Sequence, residues 1–132
     1  MGILKKVVKI MGKKGIKEVE AIIDTGSTYT KIPQALAEEI GAILTGEEKA
    51  LIANGDIVDV KIGIAVINID GCSKYSFVTI TDSGPVLIGA ETLQSYGAEV
   101  NMKTHKLIIK ECPLRLWNEN YFLRFWKLSL LS

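Results

Sequence analysis

Val58, Val60, Ile62, Ile64 and Val66 stand two residues apart, and the phase then slips by one to Ile67 and Ile69. Side chains repeat every two residues only on an extended backbone, so this run is a long β-strand. A one-residue slip is what a bulge produces, and it predicts a strand bent from one sheet toward another. Asn54-Gly55 just upstream is a strong hairpin signal, because both residues accept positive φ. Further short β-branched runs read as strands too. They are Ile3 to Ile10 and Ile16 to Ile23 around the turn Gly12-Lys13-Lys14-Gly15, Tyr29 to Ile32, a strand from Ala50, Tyr75 to Thr81, and Val86 to Ile88. Val100 to Ile109 reads as a closing hairpin that turns around Lys103 to His105. Two short helices interrupt the strands. Pro33 opens Gln34 to Ile40, which Gly41 follows, and Glu91 to Tyr96 is followed by Gly97. The chain is a mostly β domain.

With 132 residues it forms one domain, long enough to bury a core without disulfides or metal. A formal charge of +1 gives no whole-chain signature of nucleic-acid binding. Lys5, Lys6, Lys9, Lys13, Lys14 and Lys17 all precede the first acidic residue, Glu18, and read as solvated guards of an N-terminal hairpin. Cys72 and Cys112 lack metal-ligand spacing and read as ordinary thiols, with a disulfide between them the alternative. Lysines interrupt any N-terminal apolar core, so no signal peptide is expected, and the reading is a soluble, cytoplasmic protein.

Residues 1–112 are expected to form the domain and 113–132 an appended segment. That segment carries Trp117, Tyr121, Phe122, Phe125 and Trp126, but Arg115, Glu119, Arg124 and Lys127 break it too often for a membrane span. A dimerisation segment, a membrane-surface helix, a lid over a groove and simple packing on the domain all stay open.

The chemistry is carried by Asp24-Thr25-Gly26-Ser27, which closes the apolar run Val19 to Ile23. A strand-ending Asp-Thr-Gly is also compatible with a plain Asx-type turn. Here Val86-Leu87-Ile88-Gly89 follows it, with Ala53-Asn54-Gly55 between them. In this order the three elements resemble the retropepsin-like, single-domain aspartic proteases, from about Ile16 to Ile109. The resemblance implies a closed β-barrel with a flap hairpin and two short helices. It also implies peptide-bond hydrolysis by two carboxylates that share a water. Two carboxylates in contact cannot both ionise cheaply, so one takes a proton from water while its protonated partner holds the scissile carbonyl.

Asp82-Ser83-Gly84 runs straight into Val86 without room for the strand and helix that follow Asp24, so the chain supplies one catalytic aspartate. The resemblance therefore implies a homodimer with an Asp24 from each copy. Thr25 would brace the two turns across the two-fold axis, Gly26 would let the turns approach, and Gly89 would pack beneath. Ser27 would donate to the carboxylate and shift activity toward lower pH. Ala53, Asn54 and Gly55 would tip the flap, while Ile32 and Ile88 would line apolar pockets for an extended polypeptide substrate. No metal or organic cofactor is implied, and His105, at a hairpin tip, reads as a turn residue. The alternative is a catalytically silent dimeric module that keeps the fold for binding.

Overall fold

A computed structural model describes residues 3–112. The expected 113–132 segment, with its dimerisation, membrane-surface and lid alternatives, lies outside the described residues. The strands are β1 (Lys5–Met11), β2 (Ile16–Ile23), β3 (Thr30–Pro33), β4 (Ile43–Leu51), β5 (Ile57–Ile69), β6 (Cys72–Thr81), β7 (Val86–Ile88), β8 (Ala98–Asn101) and β9 (Lys106–Ile109). Helix α1 (Gln34–Ile40) follows β3, and α2 (Ala90–Ser95) follows β7.

Six strands close on themselves in the order β1-β2-β7-β3-β6-β5, with β5 returning to β1 through Lys9↔Asn68, Ile10↔Ile67 and Met11↔Val66. Closure leaves no open edge in the ring, which removes the usual template for strand aggregation. The inner face is a continuous apolar core that includes Ile10, Ile32, Ile67, Ile69, Ile88 and Tyr96. Burial pushes the Tyr96 hydroxyl well above its ordinary pKa, so it stays neutral and donates to the Ile67 carbonyl.

The long alternating strand is present, but the expected bulge is not in it. β5 pairs with β6 in unbroken register from Lys61↔Ile80 to Ile69↔Cys72. The slip in spacing records a change in what covers each face. Val66 and Ile64 pack outward against Met11 and Ile16, while Ala65, Ile67 and Ile69 enter the main core. The register irregularity falls on β4, between Leu44 and Gly46. Among the described residues β4 pairs only with β5, and it is exposed along nearly its whole length. Its polar Thr45 to Lys49 stretch therefore lacks the apolar pattern that would reveal a strand.

The cysteines also differ from expectation. Cys72, buried at the start of β6, is bonded to Cys112 with a Cα–Cα separation of 5.6 Å. This distance lies in the ordinary range for a disulfide. The bond ties the end of the β8–β9 hairpin to the barrel, and the Glu111 N–H donates to the Tyr96 carbonyl beside it at 3.1 Å. His105 has φ 52° at the hairpin turn, the role expected of it. Lys5, Lys6 and Lys17 each face a carboxylate, on Glu20, Asp70 and Glu39. No helix among the described residues is long and apolar enough to cross a membrane.

Because the bridge spans a sequence separation of 40, Cys112→Ser is expected to cost roughly 2–4 kcal/mol of stability. Urea unfolding of both proteins with and without reductant checks this. Reductant should bring the wild type down to the variant and leave the variant unchanged.

Candidate active site

Strand order creates the site. β7 lies between β2 and β3, parallel to β2 through Ala21↔Val86, Ile22↔Leu87 and Ile23↔Ile88. The chain that leaves β2 must cross the end of β7 to reach β3, and the crossing is the turn from Asp24 to Tyr29. Three backbone bonds hold it. The Asp24 N–H donates to the Ile88 carbonyl at 2.9 Å. At the start of α2, the Ala90 N–H donates to the Ser27 carbonyl at 2.7 Å and the Glu91 N–H to the Thr28 carbonyl at 3.0 Å. The first N–H groups of a helix lack partners within it, so α2 and the turn satisfy each other.

Gly89 makes this possible. A Cβ there would stand 2.4 Å from the Tyr29 carbonyl oxygen and 2.8 Å from that of Ser27. No side chain fits between turn and helix. Gly26 is different: a Cβ on it would meet only the Asp24 Oδ1, at 3.3 Å.

Asp24 is partly buried, with Thr25 and Gly26 exposed beside it at the tip of the turn. The Gly26 N–H donates to Asp24 Oδ1 at 3.0 Å and fixes the carboxylate relative to its own backbone. The Ser27 hydroxyl does not perform that role. Its Oγ donates to the Tyr29 carbonyl at 2.9 Å, so Ser27 stabilises the turn and the expected acid shift from a serine donor loses its basis.

Beneath the turn runs a hydroxyl chain that sequence reasoning missed. The Gly89 N–H donates to Thr30 Oγ1 at 3.0 Å, Thr30 and Thr92 hydroxyls are 2.6 Å apart, and Thr92 and Ser76 hydroxyls 2.8 Å apart. Ser76 Oγ donates to the Phe77 carbonyl at 3.0 Å. Each hydroxyl has a single proton. The protons therefore run one way, from Gly89 through Thr30, Thr92 and Ser76 to Phe77. A signal was available in Thr30, which shares the core-facing phase of Ile32; Thr92 offered none.

Ile32 and Ile88 are both 0% exposed and belong to the core, so neither presents surface to a substrate. The error is one residue of phase, which moves a side chain to the opposite face. Their neighbours Lys31 and Leu87 are cross-strand partners and only half-buried. Asp82, in the second Asp-Ser-Gly, is exposed on the loop between β6 and β7.

Ala53, Asn54 and Gly55 do tip the β4–β5 hairpin, but not as a two-residue Asn-Gly turn. The Gly55 N–H donates to the Ile52 carbonyl and the Ile52 N–H to the Asp56 carbonyl, each at 2.9 Å. Gly55 alone takes positive φ, 91°, while the Asn54 side chain accepts from the Asp56 N–H at 2.9 Å. This is the three-residue loop in which a left-handed glycine follows a tight turn. Leu51 and Ile57 flank it, exposed. Among the described residues, no group of three or more His, Cys, Asp or Glu is placed to hold a metal ion.

A protein-family model described as aspartyl protease matches residues 7–92, which include the turn, the flap and Gly89. The chain belongs to the aspartyl protease family. Solved structures with the same fold include EIAV protease complexed with an inhibitor, at TM-score 0.62 and 16% identity, covering 76% of this chain and 94% of that one. The retroviral protease-like domain of Ddi1 from Leishmania major matches at TM-score 0.53 and 15% identity, over 84% of this chain and 90% of that one. Simian foamy virus protease matches at TM-score 0.53 and 16% identity, over 70% and 92%. The barrel is therefore retropepsin-like. No curated protein matches the sequence.

The two glycines of this aspartyl protease turn give opposite expectations. Gly89→Ala should destabilise the folded chain by about 3 kcal/mol or more, because the obstacle is the backbone of Ser27 and Tyr29 rather than a side chain that could move aside. Gly26→Ala should leave stability within about 1 kcal/mol and act on catalysis instead. Denaturant titration and peptidase assays on the same samples separate the two.

Proposed function

We propose that the protein is an aspartic endopeptidase that works as a homodimer, with Asp24 of each copy forming the catalytic pair. The observation that carries this reading is the asymmetry of the turn. One side is locked to β7 and α2, while Asp24, Thr25 and Gly26 face away from the core. The room at Gly26 within one chain is consistent with a glycine kept for approach to a second turn. A symmetric dimer joins like to like, so one aspartate per chain gives two on the axis.

The pair shares one proton, since adjacent carboxylates resist double ionisation. The ionised Asp24 takes a proton from water as the resulting hydroxide adds to the scissile carbonyl carbon. The protonated Asp24 gives its proton to the carbonyl oxygen. Collapse of the tetrahedral species breaks the C–N bond: the departing nitrogen takes a proton from the first carboxyl group, while a hydroxyl of the diol returns its proton to the second, which leaves a carboxylic acid, an amine and a pair that again shares one proton.

Substrate would lie as an extended strand beneath the β4–β5 flaps, held by main-chain hydrogen bonds. Leu87 and the aliphatic stem of Lys31, on the face opposite Ile88 and Ile32, replace those isoleucines as contacts for side chains beside the cut.

Cleavage of a denatured apolar polypeptide between about pH 3 and 8 tests this, with wild type and Asp24→Asn compared. The expected profile is bell-shaped, and the variant should fall by about 100-fold or more. Negligible cleavage by both proteins, with the fold intact, would contradict it and favour a silent binding module.

A further inference from the structure

Four aromatic residues lie among the described residues, and three of them share one place. Tyr29, from the active-site turn, and Tyr75 and Phe77, on one face of β6, line a surface cavity of about 100 Å³ with Glu91 at its wall. The three rings belong to residues 54%, 43% and 57% exposed, whereas the fourth, Tyr96, is fully buried. Single exposed apolar residues need no explanation, but a cluster around a concavity marks a contact site.

The cavity floor is the hydroxyl chain of Thr30, Thr92 and Ser76. Each of its protons is already committed, so the floor has no hydroxyl proton to offer an anion. What a ligand would meet there is aromatic side chains, Tyr29 and Phe77 among them, and Glu91. Ring faces carry the negative side of the aromatic quadrupole, and together with a carboxylate they favour a cation. Glu91 forms no ion pair among the described residues, and its backbone is fixed to the turn through Thr28. Among the described residues, Lys74 of β6 is engaged elsewhere: it donates to the Ser95 carbonyl and lies 5.5 Å over the Tyr96 ring. The volume suits the end of one side chain rather than an organic cofactor.

We propose that this cavity binds a basic side chain, lysine or arginine, of a polypeptide that runs along the flank of the catalytic turn. The inference rests on the endopeptidase reading only for its purpose, which is substrate selection; the binding itself does not need catalysis.

The test uses the full chain carrying Asp24→Asn and fluorescein-labelled apolar decapeptides in which one lysine is walked along the sequence. Each is matched by a peptide with norleucine, similar in length but uncharged, at the same place. Fluorescence polarisation should find a position where lysine binds about fivefold tighter or more. Glu91→Gln should erase that preference while leaving the norleucine peptides unchanged, and Tyr29→Leu should reduce the lysine peptide's affinity more than the norleucine peptide's. Equal affinities at every position, or a lysine preference that survives both substitutions, would overturn the proposal. If wild type cleaves nothing while the Glu91-dependent preference persists, the endopeptidase reading fails and the basic-side-chain site stands.

Discussion

The contact between the Asp24 turn and the junction of β7 with α2 is the constraint on which the rest depends. It joins elements more than sixty residues apart through Asp24 to Ile88, Ser27 to Ala90 and Thr28 to Glu91. It exists because Gly89 presents no side chain to the carbonyls of Ser27 and Tyr29. Such bonds add modest net stability each, on the order of 1 kcal/mol, and here they act together on one short turn. The hydroxyl chain from Gly89 to Phe77 extends the same clasp into β6. The carboxylate is thus carried on a turn anchored from below, while its outer side stays open. Precise catalytic geometry needs this kind of support more than it needs additional groups at the tip.

The same clasp explains why one chain looks unfinished. The ring closed by β1 and β5 leaves β4 as the outer strand, and the flap hairpin projects with exposed apolar residues on both flanks of its tip. The exposed Thr25 and Gly26 and the apolar flanks of the glycine-tipped hairpin are surfaces that another molecule would complete. The proposed homodimeric endopeptidase gives a reason for that arrangement, since substrate and a second copy would meet at the same turn. The aromatic cavity beside Tyr29 would extend recognition beyond the reacting bond.

How much of this is legible in the sequence depends on what the folding physics writes into a pattern. Alternation in β5, the glycine after α1 and the apolar run of β7 are local signals, and each points to the right element. Gly89 is legible because the backbone leaves no room for a side chain there, and the Asp-Thr-Gly turn because it stands in order with the flap hairpin and the β7 run. β4 is only half legible, since an exposed strand with one neighbour has no need of apolar alternation. Ser27 sits within reach of the carboxylate in sequence, but a rotatable hydroxyl picks among nearby acceptors, and here it takes the Tyr29 carbonyl. Ile32 and Ile88 suggest a cleft by composition, whereas their phase faces the core. The Cys72–Cys112 bond and the Thr30–Thr92–Ser76 chain join residues distant in sequence, and nothing in a single sequence marks such pairs.

The central claim is that each chain supplies half of a catalytic site. Wild type mixed with the Asp24→Asn chain at constant total concentration tests it directly, after exchange to random pairing. If both aspartates are needed, activity falls with the square of the wild-type fraction, to about a quarter in an equal mixture. A linear fall, to about a half, would mean that each Asp24 works alone, and a fall only to about three quarters that one per pair suffices; either would contradict the account.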